Sequence, residues 1–192
     1  MTIEKTKATD TVSSGMTCNI KTGEDAKATG LFEIKCHDKN GNLKWEAQSK
    51  NLVVNVGLAY MAGSALTSVA QITTWYLGLY GAASSNSPAA ADTMSSHAGW
   101  TEVVAYSNAT RVAATFVTAT TANPSVVTNT ASPATFNING TTTVGGAFLT
   151  SGSAKSGTAG TLFSAADFGS PGDRSVVNSD TLSVTYTFSL AG

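Results

Sequence analysis

Residues with the chemistry of an active site gather in one short stretch, Asp92-Thr93-Met94-Ser95-Ser96-His97-Ala98-Gly99-Trp100. An imidazole can act as general base, a hydroxyl as nucleophile, and a carboxylate can hold the imidazole in the right tautomer. Here Asp92, Ser95, Ser96 and His97 all fall within one turn. Side chains so close in sequence rarely reach the geometry of a triad. The Gly-x-Ser-x-Gly elbow that exposes a nucleophile is also absent. His97 is therefore expected to pack or hydrogen-bond so as to fix the turn before Trp100.

Other chemistries find still less. A zinc site needs three or four converging Cys, His or carboxylate ligands. The chain has two Cys and two His, and the adjacent pair Cys36-His37 would point to opposite faces of a strand. Thr150 to Gly157, TSGSAKSG, has glycines and a Lys-Ser pair but not the phosphate-loop spacing, and no helix follows it. Paired carboxylates could come only from Asp92, Glu102, Asp167, Asp173 and Asp180, whose settings suggest turns, caps and a strand entry. Arg111 and Arg174 stand alone, unlike the clustered cations of a nucleic-acid surface. Trp75, Trp100 and Tyr106 would be the stacking platform if the chain were a carbohydrate-binding sandwich. No catalytic, cofactor-binding or metal-binding residue is assigned, and the chain is expected not to be an enzyme.

Composition narrows the class. At 192 residues the chain has the size of one domain, and only 12% of its residues are charged. Many small and β-branched residues with few charges favour stacked sheets over surface helices, which need a charged wet face. A net charge of −1 offers no electrostatic case for nucleic acid or an acidic membrane. The opening MTIEKTKATD lacks the apolar core of a signal peptide, so the product is expected to remain in the cytoplasm where it is made. That reducing compartment favours two free thiols at Cys18 and Cys36 over a disulfide. The charge is uneven: residues 1–50 hold eight of the eleven basic and seven of the twelve acidic side chains. The remaining 142 residues hold only eight charges, so either hydroxyls and amides carry the solubility of that surface or much of it is covered by other subunits.

The elements that must position these residues read as follows. Residues 1–28 are polar without apolar periodicity and are expected as an extended arm, flexible or ordered by a neighbouring subunit. Residues 29–192 are expected as a single β domain. Residues 30–48 alternate about Asn40-Gly41 and predict a tight hairpin. Asn55 is expected to cap a helix of one to three turns whose apolar residues Leu58, Met61, Ala62 and Ala65 fall at helical spacing. Gln71 to Tyr80 reads as a buried strand and 82–91 as a loop. Asp92 is expected to cap one helical turn through Ser96, ended by Gly99 in a left-handed conformation. Strands are then expected at Glu102–Tyr106, Arg111–Thr118, Pro124–Val127, Ala134–Ile138, Val144–Thr150, Gly160–Ala165 and Leu182–Leu190. The last alternates cleanly, with Leu182, Val184, Tyr186, Phe188 and Leu190 on one face. The expected fold is a mainly β, antiparallel β-sandwich or jelly roll with one or two short helices.

Three stretches together carry a resemblance: WEAQSKNLVVNVGLAYM (45–61), DTMSSHAGWTEVVAYSNATR (92–111) and TVGGAFLTSGSAKSGTAGTLFSAADFGSPGDRSVVNSDTLSVTYT (143–187). This succession resembles a family of small tailed-phage virion proteins encoded near the major capsid protein, some of them capsid cement or decoration proteins. The Asp92–Trp100 segment and the pairing of GGAFL with GTLFS are its most specific marks. The resemblance implies a jelly-roll or related β fold located in the virion, on the capsid surface. It implies the major capsid protein and neighbouring copies of the chain as partners, with a homo-oligomer such as a trimer at three-fold positions. The alternative within virion proteins is a tail, collar or head-fibre component. The arm, the Asn40-Gly41 hairpin and loops 82–91 and 151–159 are the expected contacts.

Overall fold

The computed structural model describes residues 26–81, 87–168 and 172–192. Residues 1–25 of the expected arm, Cys18 among them, and the first half of loop 82–91 lie outside the described residues. Lys27 and Ala28 were assigned to that arm, but they are already in a strand, opposite Ala191 and Leu190.

Two antiparallel sheets carry the fold, as the alternating sequence implies. The longest ladder joins β1 (Lys27–His37) to β13 (Thr181–Ala191) along their whole length. Phe32, Ile34 and Cys36 on β1 and Leu182, Val184 and Tyr186 on β13 all turn inward and are buried. Strand β2 (Leu43–Lys50) pairs with the outer side of β1. The other side of β13 takes β8 (Ala134–Asn137) and β7 (Ser125–Thr128) in succession. Between those two the side chain of Asn129 stands in for a strand. Its Oδ1 accepts from the Tyr186 N–H at 2.6 Å, and its Nδ2 donates to the Val184 carbonyl at 3.2 Å.

The second sheet runs β3 (Leu52–Val53), β11 (Leu162–Asp167), β10 (Gly146–Thr150), β4 (Trp75–Gly81), β5 (Thr101–Val103), with β6 (Val112–Ala114) also on β4. Strand β10 is buried at every position, and β11 at all but its last. Ala147, Leu149 and Phe163 face the first sheet, while Phe148, Leu162 and Ala165 face a second cluster on the far side. Continuous burial is why GAFL and LFSAA are unbroken runs of small and apolar residues with almost no polar alternation. A bulge opposite Leu149 and Thr150 shifts the parity of β11, so Ser164 can reach the Tyr186 hydroxyl at 3.2 Å. A short ribbon, β12 (Arg174–Val176) on β9 (Thr142–Val144), completes the sandwich.

Several local expectations need correction. Strand pairing stops at His37 and Leu43, so residues 38–42 form a wider loop than a two-residue turn. The Asp38 carboxylate builds it, accepting from the N–H groups of Asn40 and Asn42 at 2.8 and 2.9 Å, and only Gly41 has positive φ. Helix α1 spans Asn55–Leu66, but Val54, not Asn55, occupies the cap position. Its packed face is Gly57, Tyr60, Met61 and Ser64, whereas Leu58, Ala62 and Ala65 are exposed. The rotation follows from Gly57, which has no side chain and lets the helix rest directly on the backbone of Phe163. The strand expected from Gln71 begins only at Trp75, because residues 67–74 form an exposed excursion held by the Ile72 N–H donating to the Tyr60 hydroxyl at 2.7 Å. The strands expected at Glu102–Tyr106 and Arg111–Thr118 are cut back to Thr101–Val103 and Val112–Ala114, those expected at Pro124–Val127 and Gly160–Ala165 are shifted by one and two residues, the last strand is longer than expected, and β9 and β12 were not expected.

Gly57→Ala tests the helix contact. Alanine is the better helix former by about 1 kcal/mol, yet its methyl would land on the Phe163 carbonyl oxygen. Overpacking of that kind costs about 1–3 kcal/mol, so denaturant unfolding should show a net loss of stability. Gly140→Ala is the control: its methyl meets only the Ala105 Cβ at 3.6 Å, and its midpoint should hardly move.

Candidate functional site

The outer face of the second sheet is the place where the reactive residue types converge. Phe148 stands at its centre on β10, with Gly78 of β4 behind it. Residues 89–100 fold over this face as a plug. Met94 and Trp100 are both 2% exposed, and the Trp100 ring lies 5.2 Å from Phe148 and 5.1 Å from Tyr80.

Asp92 does not cap a helix. Its Oδ2 accepts from the Trp100 indole N–H at 3.0 Å and from the Ala89 N–H at 2.9 Å, so the buried carboxylate seats the indole. The expected helical turn is a tight turn instead, closed by Thr93 and Ser96, with the Thr93 hydroxyl taking the Ser96 N–H at 3.0 Å. Four residues are too few for a helix once a side chain has taken the amide that would begin it. Gly99 has φ +99°, the left-handed conformation expected there. His97 stacks on Trp100 with ring centroids 3.9 Å apart, and its Nδ1 lies 2.9 Å from the Trp100 carbonyl. The imidazole is thus tied to the turn, as expected. Its recorded partner is backbone, and the Ser95 hydroxyl is paired with Thr93 at 3.1 Å.

Arg111 is the correction that matters most. It is not an isolated surface cation but a buried one, 1% exposed. Its Nε and Nη2 donate to the two oxygens of Glu102 at 2.9 and 2.7 Å. Its Nη1 donates to the Gly152 carbonyl and its Nη2 also to the Gly157 carbonyl, both at 2.9 Å. The guanidinium carbon sits 5.3 Å from the Phe148 centroid. Four of its five donors are accounted for, which leaves little with which to hold a separate anion.

Loop 151–159, expected as an outward contact, closes over this pair. Ser156 adopts φ +54° and gives its N–H to Glu102 at 2.6 Å. Lys155 donates to the Tyr106 carbonyl at 2.6 Å and lies 3.9 Å above the Tyr106 ring. A cavity of about 280 Å³ remains between plug and loop, bordered by His97, Glu102, Arg111 and Thr158. Its charged groups are already paired with each other.

The remaining candidates are dispersed. Asp180 is buried and accepts from Lys44 at 2.5 Å and from the Val177 N–H at 2.9 Å. Asp167 accepts from Ser87 at 3.1 Å, and Asp173 is exposed. Among the described residues no three His, Cys, Asp or Glu side chains gather as a metal site would require. Trp75, Trp100 and Tyr106 do not make a sugar platform: Trp100 and Tyr106 are 2% and 1% exposed, and Trp75 packs on the opposite side of the sheet from Trp100. Tyr80, Tyr106 and Tyr186 have phenols pushed well above their usual range, chiefly by burial. Cys36 is a free thiol pushed up to about 11, by burial first and then by the nearby Asp180 charge.

Removing one member of a buried ion pair costs about 3–5 kcal/mol. Arg111→Met should therefore lower the unfolding free energy by that order, and Glu102→Gln should also destabilise strongly. The double variant should lose less than the sum of the two, which a denaturant double-mutant cycle will read. Cys36 carries a second expectation. At pH 8 it should resist alkylation in the folded protein and react once the chain is unfolded, where its pKa falls back toward the ordinary thiol value. Mass spectrometry of the Cys36 peptide would decide this.

No family model, no curated protein and no solved structure matches this chain.

Proposed function

We propose that the chain is a bacteriophage capsid cement or decoration protein, which binds the shell of major capsid protein and stabilises the head. The reading rests on the resemblance carried by 45–61, 92–111 and 143–187, and one structural observation supports it most. Residues 51–192 contain eight charged side chains, and four of them, Asp92, Glu102, Arg111 and Asp180, are buried. The exterior built by 142 residues therefore presents only four charges.

A surface so poor in charge is well suited to lie against other subunits, where unpaired charge would have to be desolvated. Apolar side chains also stand out from it: Leu66 is 85% exposed, Val69 47%, Val117 45% and Val177 42%. Cement function needs no reaction. Its work is done by buried area, about 1,600 Å² for a standard interface, repeated at many positions so that weak contacts add around a closed shell. The neighbours in this reading are the major capsid protein and further copies of the chain. Among the described residues no helix is long and apolar enough to cross a membrane.

Icosahedral cryo-EM of heads with and without the protein tests the proposal. Copies at symmetry-equivalent shell positions, together with loss of packaged DNA at lower temperature from heads that lack them, are the expected result. A few copies confined to a vertex or the tail would overturn it in favour of a tail, collar or head-fibre role.

A further inference from the structure

Two Asn-Gly pairs occur in the chain, Asn40-Gly41 and Asn139-Gly140, and the fold treats them differently. At such a pair a polypeptide can modify itself. The glycine nitrogen attacks the asparagine side-chain carbon, and glycine has no Cβ to obstruct the ring that forms. The attack has two conditions. The asparagine side chain must be free to approach, and the glycine N–H must be free to lose its proton.

At Asn40 the second condition fails. The Gly41 N–H donates to the Asp38 carbonyl at 2.9 Å, and the Asp38 carboxylate accepts from the Asn40 and Asn42 N–H groups at 2.8 and 2.9 Å. The loop is held by these bonds, and the carboxylate's charge opposes formation of an amide anion beside it. Asn178-Ser179 is guarded in the same way, because the Ser179 N–H donates to the Ile138 carbonyl at 2.9 Å.

Asn139 is placed otherwise. It is exposed, and with Gly140 it lies between β8 and β9, outside both strands. Its N–H donates to the Ala105 carbonyl at 3.1 Å, and Ile138 before it is fixed by backbone bonds to Asp180 and Ser179. The anchoring ends there. Among the described residues neither the Asn139 side chain nor the Gly140 N–H has a hydrogen-bond partner. The fold thus holds the residue under attack and leaves the attacking nitrogen unbonded.

We propose that Asn139 is a site of spontaneous modification, converted to aspartate and isoaspartate while the chain is folded. A base from solvent takes the Gly140 N–H proton, the nitrogen bonds to Asn139 Cγ, and the side-chain nitrogen leaves as ammonia. Water then opens the cyclic imide. Cleavage at Cγ restores the main chain and leaves an aspartate. Cleavage at the main-chain carbonyl carbon routes the backbone through Cγ and gives isoaspartate. The net change is one water taken up and one ammonia released, with nothing oxidised or reduced. Either product carries a carboxylate, a fifth charge on an exterior of residues 51–192 that otherwise presents four. Any contact covering this site would then have to desolvate it. The inference goes beyond the capsid reading and does not rest on it.

A time course on the full-length protein in mildly alkaline buffer tests it, read by peptide mass spectrometry and isoaspartyl methyltransferase labelling. In the folded protein Asn139 should convert faster than Asn40 by about fivefold or more, the factor that one net hydrogen bond at Gly41 corresponds to. In denaturant the two rates should converge. Equal rates in the folded protein, faster conversion at Asn40, or an advantage for Asn139 that survives unfolding would each overturn the proposal. Gly140→Ala gives a second reading. Its methyl meets only the Ala105 Cβ at 3.6 Å and Gly140 is not at positive φ, so the fold is kept while the new side chain shields the nitrogen. Conversion at residue 139 should fall several-fold with that at Asn40 unchanged. An unaltered rate at residue 139 would overturn the route through the Gly140 nitrogen.

Discussion

The buried Arg111–Glu102 pair is the constraint on which the outer half of the molecule depends. A guanidinium and a carboxylate withdrawn from water need every donor and acceptor met, because either left alone in that setting is strongly unfavourable. Glu102 follows the Trp100 plug, Arg111 precedes β6, and the carbonyls of Gly152 and Gly157 come from the connection between β10 and β11. Satisfying one cation thus fixes three separate segments against the same face of Phe148. The loop residues adopt unusual conformations to do so. Ser156 and Gly160 both have positive φ, and a side chain at Gly152 would collide with the Ala159 carbonyl.

That constraint explains why the second sheet can be buried on both sides. One face packs on the first sheet through residues such as Leu77, Leu149 and Phe163. The other is closed by Met94 and Trp100, with the indole held by Asp92 and overlaid by His97. Residue types that suggest catalysis in the sequence are here the fastenings of a lid. The consequence for function lies at the surface. Ionic groups are spent inside, at Asp92, Glu102, Arg111 and Asp180, and the exterior beyond the first hairpin is left nearly neutral. The cement-protein reading draws on that low charge, because contact there would leave little unpaired charge to desolvate.

Much of the architecture was legible because β periodicity is local. The alternation of β1 and β13, the hairpin between β1 and β2, and the turn glycines at 41 and 99 follow from residue order and from conformations that only some residues tolerate. The packed face of α1 was not legible. Its apolar residues fit more than one helical stripe, and the choice was made by Gly57 meeting Phe163, a residue over one hundred positions away. Nor did Asn129 announce that it would bridge β7 and β8 by imitating a strand.

The sequence alone determined the class of fold, the main strands such as β1 and β13 and the small number of charges available, since these depend on composition and on neighbours a few residues apart. Tertiary structure decided where those charges went. Glu102 and Arg111 are separated by turn residues and short strands, with nothing in their spacing to mark a pair. They meet because β5 and β6 both attach to β4, one strand carrying Glu102 and the other beginning just after Arg111. Whether a charged residue is a surface group or a buried fastening is set by what the chain folds over it. For Arg111 that cover comes from a loop some forty residues further on.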